Sequence, residues 1–222
     1  MSTSYGAGLV TDGIASLIDA SNIKSYPGAG TSITDMIGTE DYTLTSGAVI
    51  ATVDSVECFD VSASARRLVG SSAVTFGSEH TLQCWARPLS DATAVTWRTL
   101  WRTDPEDHPI LIQDGTNVIG YYDNSASTFR SYGLNIGTIG MENKWTMFTV
   151  VASAGTSTLY INDNQYSGSV AYSADGGTLL TIGGWSSSQP FGYIANNIAY
   201  TRALSVAEIN QNFQALRGRF GL

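Results

Sequence analysis

The chain has 222 residues and a mass of 23.6 kDa, enough for one substantial core and a size at which β-sandwiches form a single domain. Only 14% of residues are charged and 23 are glycine, which suits many short strands and turns better than a helical protein. Nineteen acidic against eleven basic residues leave a formal charge of −8, a surface that repels nucleic-acid phosphates and anionic lipid and argues against both as partners.

Residues 8–19 carry β-rich apolar residues around Gly13 and end before a strong turn signal, Ser25-Tyr26-Pro27-Gly28. A polar, Thr-rich stretch follows, with short strands expected at residues 42–44 and 49–53. Residues 81–87 alternate strictly, placing Leu82, Cys84 and Ala86 on one face and Gln83, Trp85 and Arg87 on the other. Residues 97–102 also alternate like a strand, and residues 104–109 form an acidic loop whose Asp104, Glu106 and Asp107 read as solvated. Further short strands are expected at residues 110–113, 118–122, 129–134 and 179–184. Asp163-Asn164 tolerates the left-handed geometry of a hairpin turn after the strand that ends at Asn162.

The C-terminal stretch is the most explicit. Residues 192–200 read as a strand, and Ser205 with Glu208 forms an S-x-x-E capping box that opens a helix over about 205–217. Ile209, Phe213 and Leu216 give that helix one apolar stripe, and Gly218 suits the position after it. Arg217 and Arg219 lie where the negative end of the helix dipole favours cations. A lone amphipathic helix after an all-β chain must cap a sheet. The expectation is one domain over residues 1–222, made in the cytosol, with neither a cleaved leader nor a membrane span. Cys58 and Cys84 are expected as buried thiols, and together with His80 and His108 they lack the spacing of a zinc site.

Several of these segments resemble one family. The end, G-x-I…Y-x-R-A-L-S-x-x-E-I followed by N-F-x-A-L-R-G-R-F-G-L, is similar to the close of a concanavalin A-like (laminin G-like) jelly-roll domain. Its tail looks like the form this domain takes in tailed-phage structural proteins. Phe59-Asp60, with Val61 where the family has Gly, residues 76–88, Lys144-Trp145 and residues 158–162 match internal family motifs. The resemblance implies an all-β, two-sheet antiparallel jelly-roll sandwich with one short C-terminal helix, its first and last strands neighbours in one sheet.

The resemblance raises three chemistries. Hydrolases on this sandwich set two carboxylates on one strand face. Glu57 and Asp60, three apart, fall on opposite faces of a strand, so no catalytic residue is assigned. Sugar binding uses exposed aromatics flanked by amides and acids; Trp97, Trp101, Tyr121, Tyr122 and Trp185 are the candidates, beside Asp123-Asn124 and residues 186–189. Calcium, which takes six to eight oxygens, has one candidate ligand in Asp60, while Ala195-Asn196-Asn197 departs from the family in the last strand. The reading is a non-enzymatic virion protein: a capsid decoration protein on the head surface. It would dock on the major capsid protein or other virion proteins, as a homo-oligomer, with a trimer the expected form; the tail with Arg217, Arg219 and Phe220 is either the docking segment or only a cap on the sheet. The alternative is an adhesin on a tail or fibre that recognises host glycans.

Overall fold

The computed structural model describes residues 8–45, 47–94, 96–104, 107–171, 177–185 and 188–222. The chain begins with β1 (Ile14–Asp19), β2 (Ser32–Ile33), β3 (Tyr42–Thr45), β4 (Val49–Val53), β5 (Val56–Val61), β6 (Arg67–Phe76) and β7 (His80–Pro88). After the single turn of α1 (Asp91–Ala94) come β8 (Arg98–Asp104), β9 (His108–Ile112), β10 (Val118–Asp123) and β11 (Thr128–Asn135). The last part holds β12 (Thr146–Ser153), β13 (Thr156–Ile161), β14 (Tyr166–Ala171), β15 (Gly177–Ile182), β16 (Gly192–Tyr200) and α2 (Val206–Leu216). No described helix is long and apolar enough to cross a membrane.

The strands form two antiparallel sheets. The first runs β14-β13-β12-β7-β16-β5-β4, with β1 also on β16, and the second runs β11-β10-β9-β8-β15-β6-β3-β2. The first and last strands are neighbours, with Ile14 opposite Tyr200 and Asp19 opposite Asn196. Alternation along β7 sets the layers. Leu82, Cys84 and Ala86 face the second sheet with Phe148, Val150 and Ile194, while Trp85 points the other way, under α2. Cys58 and Cys84 are free, buried thiols on opposite faces of the first sheet. Asn162 and Asn164 take positive φ (+56° and +69°) and turn the chain between β13 and β14.

The capping box forms: Ser205 Oγ accepts from the Glu208 N–H, and Glu208 Oε2 accepts from the Ser205 N–H at 2.8 Å. Ile209 and Phe213 are buried, and so is Asn212, which hydropathy alone would leave in solvent. Its amide donates to Gln83 Oε1 and to the Tyr200 hydroxyl at 2.9 Å each, and its Oδ1 accepts from the Val10 N–H at 2.8 Å. One side chain thus ties the helix to β7, β16 and the start of the chain.

The end of the helix differs from expectation. Gly218 does not close it; a 3-10 turn over Arg217–Phe220 extends it, and Gly221 (φ +72°) is the left-handed cap. The extra turn delivers Phe220 onto Trp85, with ring centroids 3.9 Å apart and planes 7° from parallel. Arg219 pairs with both carboxylate oxygens of Asp19, at 2.8 and 2.7 Å. Of the three residues expected to dock on a capsid, Phe220 is therefore buried and Arg219 engaged within the chain, and Arg217 is exposed.

Candidate functional site

The helix and its 3-10 extension cover the outward face of the first sheet. Aromatic side chains gather on the outward face of the second. Register decides which ones. In an unbroken strand Trp97 and Trp101 would share a face, but β8 is bulged: Thr99 lies opposite Leu111 and Trp101 opposite Ile110. The extra residue sends both Leu100 and Trp101 into the core between the sheets. Trp101 is fully buried there, its indole N–H donating to Asn197 Oδ1 at 2.7 Å. Tyr121 is also fully buried, because adjacent strand residues face opposite ways and Tyr122 takes the outward position. The sequence grouping of five ligand-facing aromatics is corrected to three: Trp97, Tyr122 and Trp185.

These three, each half-buried, wall a cavity of about 300 Å³. His108 and Leu111 of β9 also line it, with the amides of Asn124 and Gln189. The walls are braced from outside the cavity. The Phe129 ring meets Trp97 edge-on at 5.5 Å, and it reaches there by crossing Gly120, where a Cβ would stand 2.3 Å from the ring. The Arg102 guanidinium lies 3.5 Å from the centroid of Trp185, a cation–π contact that holds the indole. The His108 ring meets Tyr122 and Trp185 edge-on, each at 6.0 Å. A second cavity, about 360 Å³, shares Trp185 and is lined by Arg67, Arg102, Leu180 and Thr181.

Of the acidic residues expected to be solvated, Asp104 is exposed and Asp107 is not. Asp107 is buried, its carboxylate accepting from the Tyr121 hydroxyl and, at 2.8 Å, from the Asn124 N–H. It fixes the loop that brings Asn124 to the rim. Glu106 lies outside the described residues, as do Ser186 and Ser187. His108 is joined to Thr99, with Nδ1 3.2 Å from Oγ1, and Thr99 Oγ1 donates to Gln189 Oε1 at 2.6 Å. Burial, with Arg102 beside it, lowers the imidazole to about 4, so it is neutral near pH 7. Gln189 holds φ +60°, and its carbonyl also accepts from the Thr99 N–H at 3.2 Å. Thr99 carries no sequence signal for a site; it shares Trp97's face by alternation, and the bulge after it turns Trp101 away.

Asp60 is not set among metal-type ligands. Its carboxylate accepts from Arg66 Nη1 at 2.5 Å and from Ser62 N at 2.9 Å. No cluster of three or more His, Cys, Asp or Glu suited to a metal occurs among the described residues. Of the Ala195-Asn196-Asn197 departure in the last strand, Asn197 Oδ1 accepts the Trp101 indole N–H, and Asn196 Oδ1 accepts the backbone N–H of Trp85 at 3.1 Å where β16 is bulged.

A two-sheet antiparallel sandwich with a helix on one outward face and an aromatic cavity on the other is of the lectin and glucanase class. A family model described as the concanavalin A-like lectin/glucanases superfamily matches residues 62–210, and the chain belongs to this family. No curated protein sequence matches it. Among solved structures it is similar to Trypanosoma rangeli sialidase, with TM-score 0.64 and 12% identity over 96% of this chain and 34% of the sialidase. It is also similar to domain 4 of AbnA, a GH43 extracellular arabinanase from Geobacillus stearothermophilus solved with arabinotriose: TM-score 0.63, 15% identity, 90% of this chain and 98% of that one. The ligand-binding domain of botulinum neurotoxin serotype D, solved with N-acetylneuraminic acid, aligns with TM-score 0.62 and 16% identity over 91% of this chain and 50% of that one. At these identities the likenesses show the fold alone, and the chain spans only 34% of the sialidase's length.

Proposed function

We propose that the protein is a non-catalytic carbohydrate-binding domain whose site is the aromatic cavity on the second sheet. One observation carries the reading: Trp97, Tyr122 and Trp185 converge on a cavity rimmed by Asn124, Gln189 and His108. Sugar rings offer apolar C–H faces to aromatic rings and hydroxyls to amides and imidazoles, and this lining supplies both. The solved arabinanase domain and neurotoxin domain, each crystallised with a sugar, support it by analogy of fold. Action without catalysis is favoured because none of the described lining residues is a carboxylate, whereas most glycosidases place two across the scissile bond.

The proposed setting is a phage virion, on the strength of the C-terminal tail sequence. Within it, an adhesin on a tail or fibre fits the cavity better than a head decoration protein, since Arg219 and Phe220 serve the chain's own sheet. A trimer would multiply weak sugar contacts there. The test is a glycan array probed with the wild-type protein and with Trp97→Ala and Trp185→Ala. A sugar-specific signal lost in both folded variants is expected. A folded wild-type protein that binds no glycan refutes the reading. Co-sedimentation with particles lacking the protein, followed by imaging, separates tail from head: regular occupancy of the head lattice would restore decoration.

A further inference from the structure

The cavity holds one polar group whose hydrogen-bonding sense is set from behind. Thr99 Oγ1 stands between His108 Nδ1 at 3.2 Å and Gln189 Oε1 at 2.6 Å. The amide oxygen can only accept, so the threonine hydrogen points to Gln189. The Thr99 oxygen then has only lone pairs to offer His108, and Nδ1 must carry the ring proton. A neutral imidazole protonated at Nδ1 has a bare acceptor at Nε2. Nδ1 is engaged within the protein, so Nε2 is the nitrogen left for whatever enters the cavity that His108 lines.

We propose that the Gln189–Thr99–His108 relay fixes His108 Nε2 as a hydrogen-bond acceptor, so that the site selects a ligand presenting a donating hydroxyl at that point. The second part rests on the carbohydrate reading above. For this one hydrogen bond Thr99 and Gln189 act as positioning residues and His108 is the contact. Three independent features hold the relay in place. Alternation puts Thr99 on the same face of the strand as Trp97, and the β8 bulge begins only after it. The backbone bond from the Thr99 N–H to the Gln189 carbonyl clamps the two residues together. Gln189 keeps a left-handed backbone (φ +60°) that a non-glycine residue adopts at a cost. Burial keeps the ring neutral near pH 7, so the acceptor is present there.

The chain has only two histidines, which makes the test direct. Long-range ¹H–¹⁵N spectra of histidine-labelled protein at pH 7 report which ring nitrogen is protonated. The expected result is His108 protonated at Nδ1 with a bare Nε2. Thr99→Val and Gln189→Ala each break the relay and should shift His108 toward the Nε2-protonated form, while Thr99→Ser restores the wild-type pattern. His80, whose Nδ1 faces the Gly77 carbonyl at 3.0 Å, should not change. Titration with neutral methyl glycosides of glucose, galactose, mannose, arabinose and N-acetylglucosamine should move the Nε2 resonance. The glycoside that binds should lose roughly tenfold in affinity for Thr99→Val. A wild-type His108 protonated at Nε2 overturns the proposal, as does a ring unaltered in both variants. The expected tautomer with no response to any glycoside leaves the relay standing and refutes the sugar reading.

Discussion

Replacing Trp101 by phenylalanine separates a core role from a ligand role. The indole N–H donates to Asn197 Oδ1 at 2.7 Å, joining β8 of one sheet to β16 of the other, and both residues are fully buried. Phenylalanine removes that donor and leaves an amide oxygen unpaired in the core, which costs about 1–3 kcal/mol. The smaller ring leaves space equivalent to a methylene or more, about 1 kcal/mol further. The sum is about 2–4 kcal/mol. In a chain of this length each kcal/mol moves the melting temperature by about 2–4 °C, so a fall of roughly 4–16 °C follows. Thermal unfolding at pH 7 measures it, and an Asn197→Ala double-mutant cycle should return a coupling of about 1–2 kcal/mol. Glycan binding by the folded variant should be unchanged, since Trp101 faces away from the cavity. Lost binding with an unchanged melting temperature would return Trp101 to the ligand site and refute the register argument.

Further outcomes can be checked by unfolding and binding. The unfolded chain takes up a proton on His108 near pH 6.5, whereas the folded chain resists until about 4. Stability should therefore fall as pH drops through that window, by up to about 3 kcal/mol, and unfolding in His108→Gln should show a flatter pH slope. Glu208, lowered to about 2 by its hydrogen bonds from Arg202, adds a separate loss between about pH 4.5 and 2. Gly120→Ala should cost about 1–3 kcal/mol and weaken glycan binding, because the new Cβ displaces the Phe129 ring that braces Trp97; binding at wild-type strength would show that the brace is dispensable. Phe220→Ala should cost about 3 kcal/mol through its lost stacking on Trp85, while Arg217→Ala stays within about 0.5 kcal/mol in thermal unfolding.

Much of the fold is legible in local pattern. Alternation in residues 81–87 separates the two faces of β7, the capping box starts α2 at Val206, and Asn164 takes the left-handed turn expected of it, with Asn162 rather than Asp163 as the second left-handed residue. These features depend on neighbours within a few residues, where backbone geometry ties side-chain direction to sequence position. The end of the helix was less legible, because the partner of Phe220 is Trp85, more than a hundred residues away.

The candidate site was only partly legible for the same reason. Composition and alternation supplied the aromatics, yet a single bulged residue in β8 decided that Trp97 faces the cavity and Trp101 the core. That bulge is visible only against β9, the strand it pairs with. The relay through Thr99 joins β8, β9 and the loop before β16, three segments that the sheet alone makes neighbours. The sequence by itself determined the class of fold, the faces of its regular strands and the helix that caps one sheet, because short-range periodicity encodes them. Only the tertiary structure decided which aromatics meet ligand and which polar groups align behind them, because register between strands is a long-range property of the sheet.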